Sequence, residues 1–156
     1  MSRVQLALNV DDIEEAVAFY SRLFRAEPAK RRPGYANFAL DEPALKLVLI
    51  ENAGSGGSVN HLGVEVPTAG DVVDATRRLT AAGLSTRVED GTTCCYALQD
   101  KVWVHGPGQE PWEVYTVKAD APDATSIHPT GTSPDAECEC GTPAEPTDDA
   151  AVKCCG

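Results

Sequence analysis

The feature that most constrains the fold of this chain is an order of elements that occurs twice. Residues 3–10 alternate apolar and polar side chains, which is typical of a half-buried strand. Residues 12–25 carry apolar side chains at helical spacing behind a run of acidic residues, and they predict an amphipathic helix. Two more strands are predicted over 35–40 and 44–50. The Gly- and Ser-rich segment 52–58 is typical of a flexible linker, and after it the same order begins again.

The second copy of the pattern completes the prediction of the fold. A strand is predicted over 60–66 and a helix over about 69–82, with Gly83 as its C-terminal stop. Neither copy is large enough to enclose a hydrophobic core alone. We therefore predict an α+β fold of two βαβββ modules, about 1–51 and 59–119, with a curved sheet, helices outside and a cleft inside. The other strands of the second module are predicted near 85–90, 93–99, 101–104 and 111–117.

Residues 120–156 differ from the rest of the chain in composition. They carry eight acidic residues and one basic residue, so most of the net charge of −11 belongs to this tail. Because the tail has almost no bulky apolar side chains, we predict that it is disordered and that residues 1–119 form a single domain. The acidity argues against nucleic acid or an anionic membrane as a partner. The N-terminus lacks the pattern of a signal peptide, and no apolar run is long enough for a membrane span, so we expect a cytoplasmic protein.

Six cysteines in close pairs are the second unusual feature of the sequence. In the cytoplasm they are expected to be thiols rather than a disulfide framework, and their close spacing indicates metal chemistry more than cross-linking. For Cys94 and Cys95, burial in the core is the alternative, since cysteine is often buried. For the four cysteines of the tail, the alternatives are a relay for metal or metalloid and an inert solvated tail. The pairs are Cys94 with Cys95, Cys138 with Cys140, and Cys154 with Cys155.

Three residues are candidate metal ligands because they occupy polar positions on strands whose other face is apolar. They are Gln5, His61 and Glu113. When the first strands of the two modules are aligned, Gln5 lies opposite His61, and a weaker alignment places Lys46 opposite Glu113. A lysine at this fourth position would leave a site with three protein ligands and open positions.

The neighbours of Glu113 strengthen this interpretation. An ionised carboxylate between Trp112 and Val114 is costly to bury unless a positive charge compensates it, and a divalent metal would do so. One nitrogen and two oxygen ligands suit Fe(II), Mn(II) or Ni(II). Two alternatives stay open: His61 is a structural residue with its hydrogen bonds satisfied, or His105 is the ligand instead, although His105 is expected at the rim.

Several stretches of the chain resemble the organoarsenical carbon–arsenic lyases and the closely similar cadmium-induced proteins of actinobacteria. They cover nearly all of residues 3–118, and the combination of Thr-Thr-Cys-Cys with Asp-Lys-Val-Trp-Val is specific. The matching stretches are RVQLALNVDD, AVAFYSRLF, AEPAKRRPGYANFAL, LKLVLIEN, NHLGVEV, GTTCCYALQDKVWV and PWEVYTV.

The resemblance implies a vicinal-oxygen-chelate fold and an Fe(II)- and O2-dependent enzyme that converts trivalent organoarsenicals to arsenite. Matched by motif, Gln5, His61 and Glu113 correspond to the iron ligands of that family, with His61 and Glu113 as catalytic residues. Cys94 and Cys95 correspond to its arsenic-binding pair. Such modules also pair between chains, so a homodimer is among the expected assemblies.

The vicinal cysteines pose a geometric difficulty, because neighbours in a regular strand point to opposite faces. Cys94 and Cys95 can bind one arsenic atom together only from a loop or a distorted segment, for which Gly91 provides a break. We therefore expect a mobile loop that loads the substrate and then moves over the iron.

Two functions of other classes compete with the lyase. A non-enzymatic resistance protein would bind cadmium or arsenite through its thiols and would need no open metal site. A glyoxalase-like isomerase would more typically use a fourth protein ligand, for which Lys46 is ill suited.

Overall fold

The computed structural model describes residues 2–121, which form eight strands and two helices. The first module contains β1 to β4 and α1, and the second contains β5 to β8 and α2, so the predicted α+β fold of two βαβββ modules is confirmed. The elements are β1 (Arg3–Val10), α1 (Ile13–Phe24), β2 (Lys30–Arg32), β3 (Tyr35–Leu40), β4 (Leu45–Glu51), β5 (Val59–Glu65), α2 (Ala69–Ala81), β6 (Arg87–Cys94), β7 (Ala97–His105) and β8 (Pro111–Asp120).

All eight strands form a single mixed sheet in the order β2-β3-β4-β1-β5-β8-β7-β6. Within each module the first and last strands are parallel neighbours, β1 with β4 and β5 with β8. The modules meet where β1 and β5 pair antiparallel at the centre of the sheet. Polar residues of both first strands therefore lie side by side in the middle of one face.

The alternation along the strands gives the sheet an apolar convex face and a concave face that carries the buried polar residues beside a smaller apolar cluster around Val48 and Ile50. Helix α1 packs over Leu47 and Leu49 of β4, and α2 packs over Val102 of β7. Asp12 caps α1 by accepting from the backbone N–H of Glu15, and Thr68 begins α2 with a capping box. With the helices on the convex face, the concave face is left to line a cleft.

Contacts between opposite ends of the strand order show that the sheet curls. Lys30, on the edge strand β2, donates a hydrogen bond of 3.0 Å to the carbonyl of Tyr96, which follows β6. The ring of Tyr35, on β3, lies 5.2 Å from the ring of Tyr96. The curled sheet therefore brings parts of the first and second modules together across the cleft.

The strand predicted near 111–117 is found as β8, but the boundaries predicted between residues 85 and 104 are wrong. The chain does not break at Gly91, which instead lies at a register shift between Glu89 and Thr92 with φ +62°. It turns at Cys95 and Tyr96, inside the predicted strand 93–99. Neither residue is a typical turn former, so composition gave no signal there.

The segment between the modules also differs from expectation. Asp11 accepts hydrogen bonds from the backbone N–H groups of Gly54 (2.8 Å) and Gly56 (3.1 Å), so residues that are typical of a flexible linker form an anchored loop. The three-residue strand β2 had no sequence signal of its own. The predictions about residues 122–156, including the four tail cysteines, lie outside the described residues. Neither α1 nor α2 is long and apolar enough to cross a membrane.

Leu49 tests the assignment of the convex core. It is 0% exposed and packs under α1, so Leu49→Ala is expected to lower the free energy of unfolding by about 2–5 kcal/mol. Leu23→Ala is the matched control, because Leu23 is 57% exposed and its truncation should cost about 0.5 kcal/mol or less. Urea unfolding measures both values, and equal losses would contradict this assignment.

Candidate active site

A row of residues across the centre of the concave face brings the candidate ligands together. Gln5 of β1 pairs with Gly63 of β5, and Gly63 pairs with Glu113 of β8. A Cβ on Gly63 would lie 3.1 Å from Cγ of Glu113 and 3.4 Å from Nε2 of Gln5. The missing side chain therefore leaves the gap in which Gln5 and Glu113 meet.

His61 reaches the same point from the neighbouring position on β5. Its Nε2 lies 3.0 Å from Nε2 of Gln5 and 3.4 Å from Oε1 of Glu113. Gln5 Nε2 donates to Oε1 of Glu113 at 2.7 Å. All three residues are at most 4% exposed, so the structure places Gln5, His61 and Glu113 in one buried polar group.

These separations fit a single bound metal ion when the amide oxygen of Gln5 takes the place that its nitrogen occupies. Ligand atoms about 2.1 Å from an ion and at right angles to one another lie about 3.0 Å apart, and the three observed separations range from 2.7 to 3.4 Å. Among residues 2–121, no group of three or more His, Cys, Asp or Glu side chains could hold a metal. A metal site at this position therefore depends on the amide of Gln5.

Hydrogen bonds behind His61 orient its ring. Nδ1 lies 2.8 Å from Oδ1 of Asn60, which makes Nδ1 the protonated nitrogen and leaves the lone pair of Nε2 facing the cleft. Asn60 donates in turn to Oδ1 of Asn9 at 2.9 Å, and Asn9 donates to Oγ of Ser58 at 2.8 Å. A histidine ligand to a metal typically has this kind of support.

The amide of Gln5 is held with its nitrogen toward His61 and Glu113. Its Oε1 accepts a hydrogen bond from the hydroxyl of Tyr115. Burial raises the pKa of Tyr115 far above its ordinary range, so the hydroxyl keeps its proton. Coordination of a metal by Gln5 would require the amide to turn over, with Tyr115 then accepting from the amide nitrogen.

Lys101 compensates the charge of Glu113, and sequence reasoning missed it. Its Nζ donates to Oε2 of Glu113 at 2.7 Å, and its side chain is 1% exposed. Burial favours the neutral form of Glu113, but the charge of Lys101 and its hydrogen bond to Oε2 outweigh it and hold the pKa of Glu113 well below its ordinary value. Lys101 therefore supplies the positive charge that a buried Glu113 requires, and the burial of Glu113 is by itself no evidence for a metal. The alternation of Gln99, Lys101 and Trp103 along β7 was the available signal.

Cys94 and Cys95 lie at the turn between β6 and β7. Cys94 pairs with Ala97, and the two turn residues Cys95 and Tyr96 have φ of +54° and +62°. Positive φ at both central residues is the mark of a type I′ hairpin turn, a conformation that costs about 1–2 kcal/mol for each residue other than glycine. The segment that we expected to be a mobile loop is thus a tight turn. In this turn the side chains of Cys94 and Cys95 do not point to opposite faces as they would in a regular strand, and their Sγ atoms lie 3.2 Å apart.

The two thiols differ in acidity. The contact with the Cys95 thiol lowers the pKa of Cys94, with Lys101 acting in the same direction, whereas the same contact and burial raise the pKa of Cys95. The contact between the two sulfurs, with Lys101 as the nearby cation, thus favours ionisation of one thiol of the pair. Cys95 packs beside the buried residues Tyr35 and Val48 of the first module.

One cavity of about 310 Å³ joins these features. Gln5, His61 and Glu113 line one part of it, and Cys95 lines another. Lys46 also lines the cavity, and it lies beside Gln5 in the pairing of β1 with β4. Burial lowers the pKa of Lys46, against the opposing effects of Glu65 and Glu113. His105 is exposed at the end of β7 and does not reach the site.

Comparison with known proteins identifies the family. A family model described as the Glyoxalase/Bleomycin resistance protein/Dioxygenase superfamily matches residues 3–114. The chain belongs to this superfamily. Solved members share the fold at low sequence identity. An extradiol ring-cleaving dioxygenase from B. fuscum aligns with a TM-score of 0.58 and 18% identity, over 76% of this chain and 33% of that one. An Mn(II)-bound glyoxalase from Novosphingobium aromaticivorans aligns with a TM-score of 0.57 and 20% identity, over 78% of this chain and 42% of that one.

Two groups of relatives within the superfamily are much more similar in sequence. The cadmium-induced protein CadI of Mycobacterium tuberculosis is 69% identical over 121 residues, which cover 78% of this chain and 80% of CadI. A trivalent organoarsenical cleaving enzyme of Thermomonospora curvata is 63% identical over 122 residues, 78% of this chain and 81% of that enzyme. An enzyme of the same name from a Bacillus species is 36% identical over 160 residues, 99% of each chain.

The pairing of Lys101 with Glu113 predicts a pH-dependent loss of stability. Lys101→Met leaves a buried carboxylate without its cation, so we expect the free energy of unfolding at pH 7 to fall by about 3–5 kcal/mol. A carboxyl whose pKa is lowered by folding stabilises the fold above its ordinary pKa of about 4.3, and that stabilisation is lost as the pH falls. The difference between wild type and variant should therefore narrow toward about pH 4 and below.

Urea unfolding as a function of pH measures this difference. Lys118→Met is the matched control, because Lys118 is half exposed, pairs with Asp100 and should contribute at most about 1 kcal/mol. A deficit of Lys101→Met that stays constant between pH 7 and pH 3.5 would contradict this role of the ion pair.

Gly63 provides a second test. In Gly63→Ala the added methyl group would separate Gln5 from Glu113, and we expect the affinity for Fe(II) to fall by about tenfold or more while the protein stays folded. Anaerobic Fe(II) titration measures the affinity, and circular dichroism checks the fold. Gly70→Ala is the control, because Gly70 lies in α2 and the nearest atom to its added Cβ would be Oγ1 of Thr68 at 3.5 Å. Unchanged Fe(II) affinity in Gly63→Ala would count against a metal between these side chains.

Proposed function

We propose that this protein cleaves the carbon–arsenic bond of trivalent organoarsenicals, in a reaction that depends on Fe(II) and O2 and releases arsenite. The observation that carries the proposal is one cavity that is lined both by Cys95, whose sulfur lies 3.2 Å from that of Cys94, and by Gln5, His61 and Glu113. The protein would thereby detoxify organic arsenicals in the cytoplasm.

The thiol pair suits the proposed substrate. A trivalent arsenical with one organic group has two exchangeable positions, and two soft thiolates can fill them. Each exchange joins one cysteine sulfur to arsenic and releases one hydroxyl group with the thiol proton as water. The sulfurs of Cys94 and Cys95 lie close enough to bind one arsenic atom together without rearrangement of the turn. Arsenic held at Cys95 faces the cavity that Gln5, His61 and Glu113 also line.

The three polar residues suit Fe(II). The imidazole nitrogen of His61 and the oxygens of Gln5 and Glu113 form a donor set of the type that non-haem Fe(II) prefers, with positions left for other ligands. When bound, Fe(II) would supply the activation of O2. Lys101 holds Oε2 of Glu113, which leaves Oε1 for the metal, and Asn60 fixes the tautomer of His61.

The overall reaction balances without another reductant. For methylarsonous acid, CH3As(OH)2 and O2 give As(OH)3 and formaldehyde, so the carbon–arsenic bond breaks and carbon is oxidised while O2 is reduced. The protein's contribution is to bind arsenic, to orient the carbon toward the iron ligands, and to enclose the reaction. The names of the relatives from Thermomonospora curvata and Bacillus species support this activity.

Sequestration of arsenite or cadmium without turnover is the second candidate. The observation in its favour is that the polar group is complete without a metal. Lys101 compensates the charge of Glu113, and the amide nitrogen of Gln5 forms hydrogen bonds with both His61 and Glu113. The name of the relative CadI is in line with it. A glyoxalase-like isomerase receives no such support, because Lys46 stands where a fourth ligand would be needed.

Turnover separates the two candidates. After anaerobic reconstitution with Fe(II), we expect methylarsonous acid in air to yield arsenite and formaldehyde in equal amounts. His61→Ala and Cys95→Ser should each lower the rate at least a hundredfold, because they remove a metal ligand and an arsenic ligand. His105→Ala is the matched control and should keep the wild-type rate, since His105 lies outside the cavity.

Arsenite and formaldehyde are quantified together, with and without Fe(II) and O2. Tight binding of the arsenical with no release of arsenite under any of these conditions would favour sequestration. Turnover that persists in His61→Ala would reject the assignment of the metal site.

A further inference from the structure

The buried charges around the cavity are not all matched. Lys30 is paired with Asp120, and Lys101 is paired with Glu113. Arg3 and Lys46 remain, and they share a single carboxylate, that of Glu65. In this part of the cavity wall two cations therefore face one anion.

Lys46 is the less satisfied of the two cations. Its side chain is 13% exposed, and its Nζ lies 3.5 Å from Oε1 of Glu65, which is at the outer limit of a hydrogen bond. The other contact that Nζ of Lys46 makes with residues 2–121 is with the ring of Tyr115, whose centre lies 5.1 Å from Nζ. An ammonium group has three donors, and a buried one is costly unless they are used.

The neighbouring acids cannot supply the missing partner. The other oxygen of Glu65 contacts Nε of Arg3 at 3.3 Å, so its charge is divided. Glu113 is held by Lys101 at 2.7 Å. The donors of Lys46 are therefore available to a group that enters the cavity, and the local charge favours an anion.

We propose that Lys46, supported by Arg3, forms a subsite for an anionic substituent on the organic group of the arsenical. Lys46 lies beside Gln5 on the side away from Gly63 and Glu113, so the subsite adjoins the candidate iron ligands. Arsenic bound at Cys95 and an anion bound at Lys46 would hold the organic group across the cavity between them.

The volume of the cavity agrees with a ligand of this size. About 310 Å³ is the lower end of the range of small-molecule pockets and far exceeds what a methyl group fills. The matching ligand class is a trivalent aryl arsenical with a carboxylate or another acidic group on the ring. This inference rests on the proposed function for its arsenical, whereas the anion site itself depends only on Lys46, Arg3 and Glu65.

The test compares two substrates that differ in one charge. They are phenylarsine oxide and its carboxyphenyl counterpart, with meta and para carboxylates examined in turn. We expect wild type to have the higher kcat/KM for one of the carboxylated forms. In Lys46→Met the ratio of carboxylated to neutral substrate should fall by about tenfold, because a charge-assisted hydrogen bond is lost, while the value for phenylarsine oxide changes by less than about threefold.

Two further variants sharpen the comparison. Lys46→Arg keeps the charge and should retain most of the wild-type ratio. Lys118→Met removes a lysine outside the cavity and should leave the ratio unchanged. An unchanged ratio in Lys46→Met would overturn the subsite. Equal losses for both substrates and for methylarsonous acid would also overturn it, since Lys46 would then act on a step common to all of them.

Binding measured by anaerobic calorimetry separates this inference from the proposed function. If no substrate yields arsenite but wild type binds the carboxylated arsenical more tightly and Lys46→Met does not, the lyase is rejected and the subsite stands. If arsenite is released and Lys46→Met binds both arsenicals as wild type does, the lyase stands and the subsite is rejected.

Discussion

The contact between Lys101 and Glu113 is the interaction on which the rest of the site depends. A carboxylate that is 2% exposed at the middle of a sheet would be protonated without a nearby cation, and a protonated Glu113 would accept only a weaker hydrogen bond from Gln5 and would not attract a metal. The ammonium of Lys101 keeps it ionised while occupying only one of its two oxygens. The ion pair therefore keeps Glu113 in the form that can bind a metal and leaves its Oε1 oxygen out of contact with Lys101.

The second constraint is the closure of the curled sheet around the cysteine turn. Lys30 binds the carbonyl of Tyr96, and the rings of Tyr35 and Tyr96 are in contact. These contacts come from the first module, although Cys95 and Tyr96 belong to the second. Packing across the cleft therefore offsets the backbone cost of two residues in left-handed conformation and fixes the thiols near the candidate iron ligands.

Much of the fold could be predicted because two periodicities repeat in the same order. The alternation in β1 and β5 and the helical spacing in α1 and α2 are local properties, and they led to two βαβββ modules. The same alternation placed Gln5, His61 and Glu113 on one face. What could not be predicted depends on contacts between distant residues. The turn at Cys95 is held by the first module rather than by turn-forming residues, and the partner of Glu113 lies on β7, a neighbour that only the sheet order reveals.

The candidate ligands come from opposite ends of the described chain: Gln5 and Glu113 are 108 residues apart in sequence yet joined by one hydrogen bond. No shorter piece of the chain can assemble this group. A metal that binds there binds only the fully folded molecule, and so it shifts the equilibrium away from every partly open state at once. Occupancy would then act as protection from proteolysis, and the lifetime of the protein in a cell would lengthen when its ligand is present.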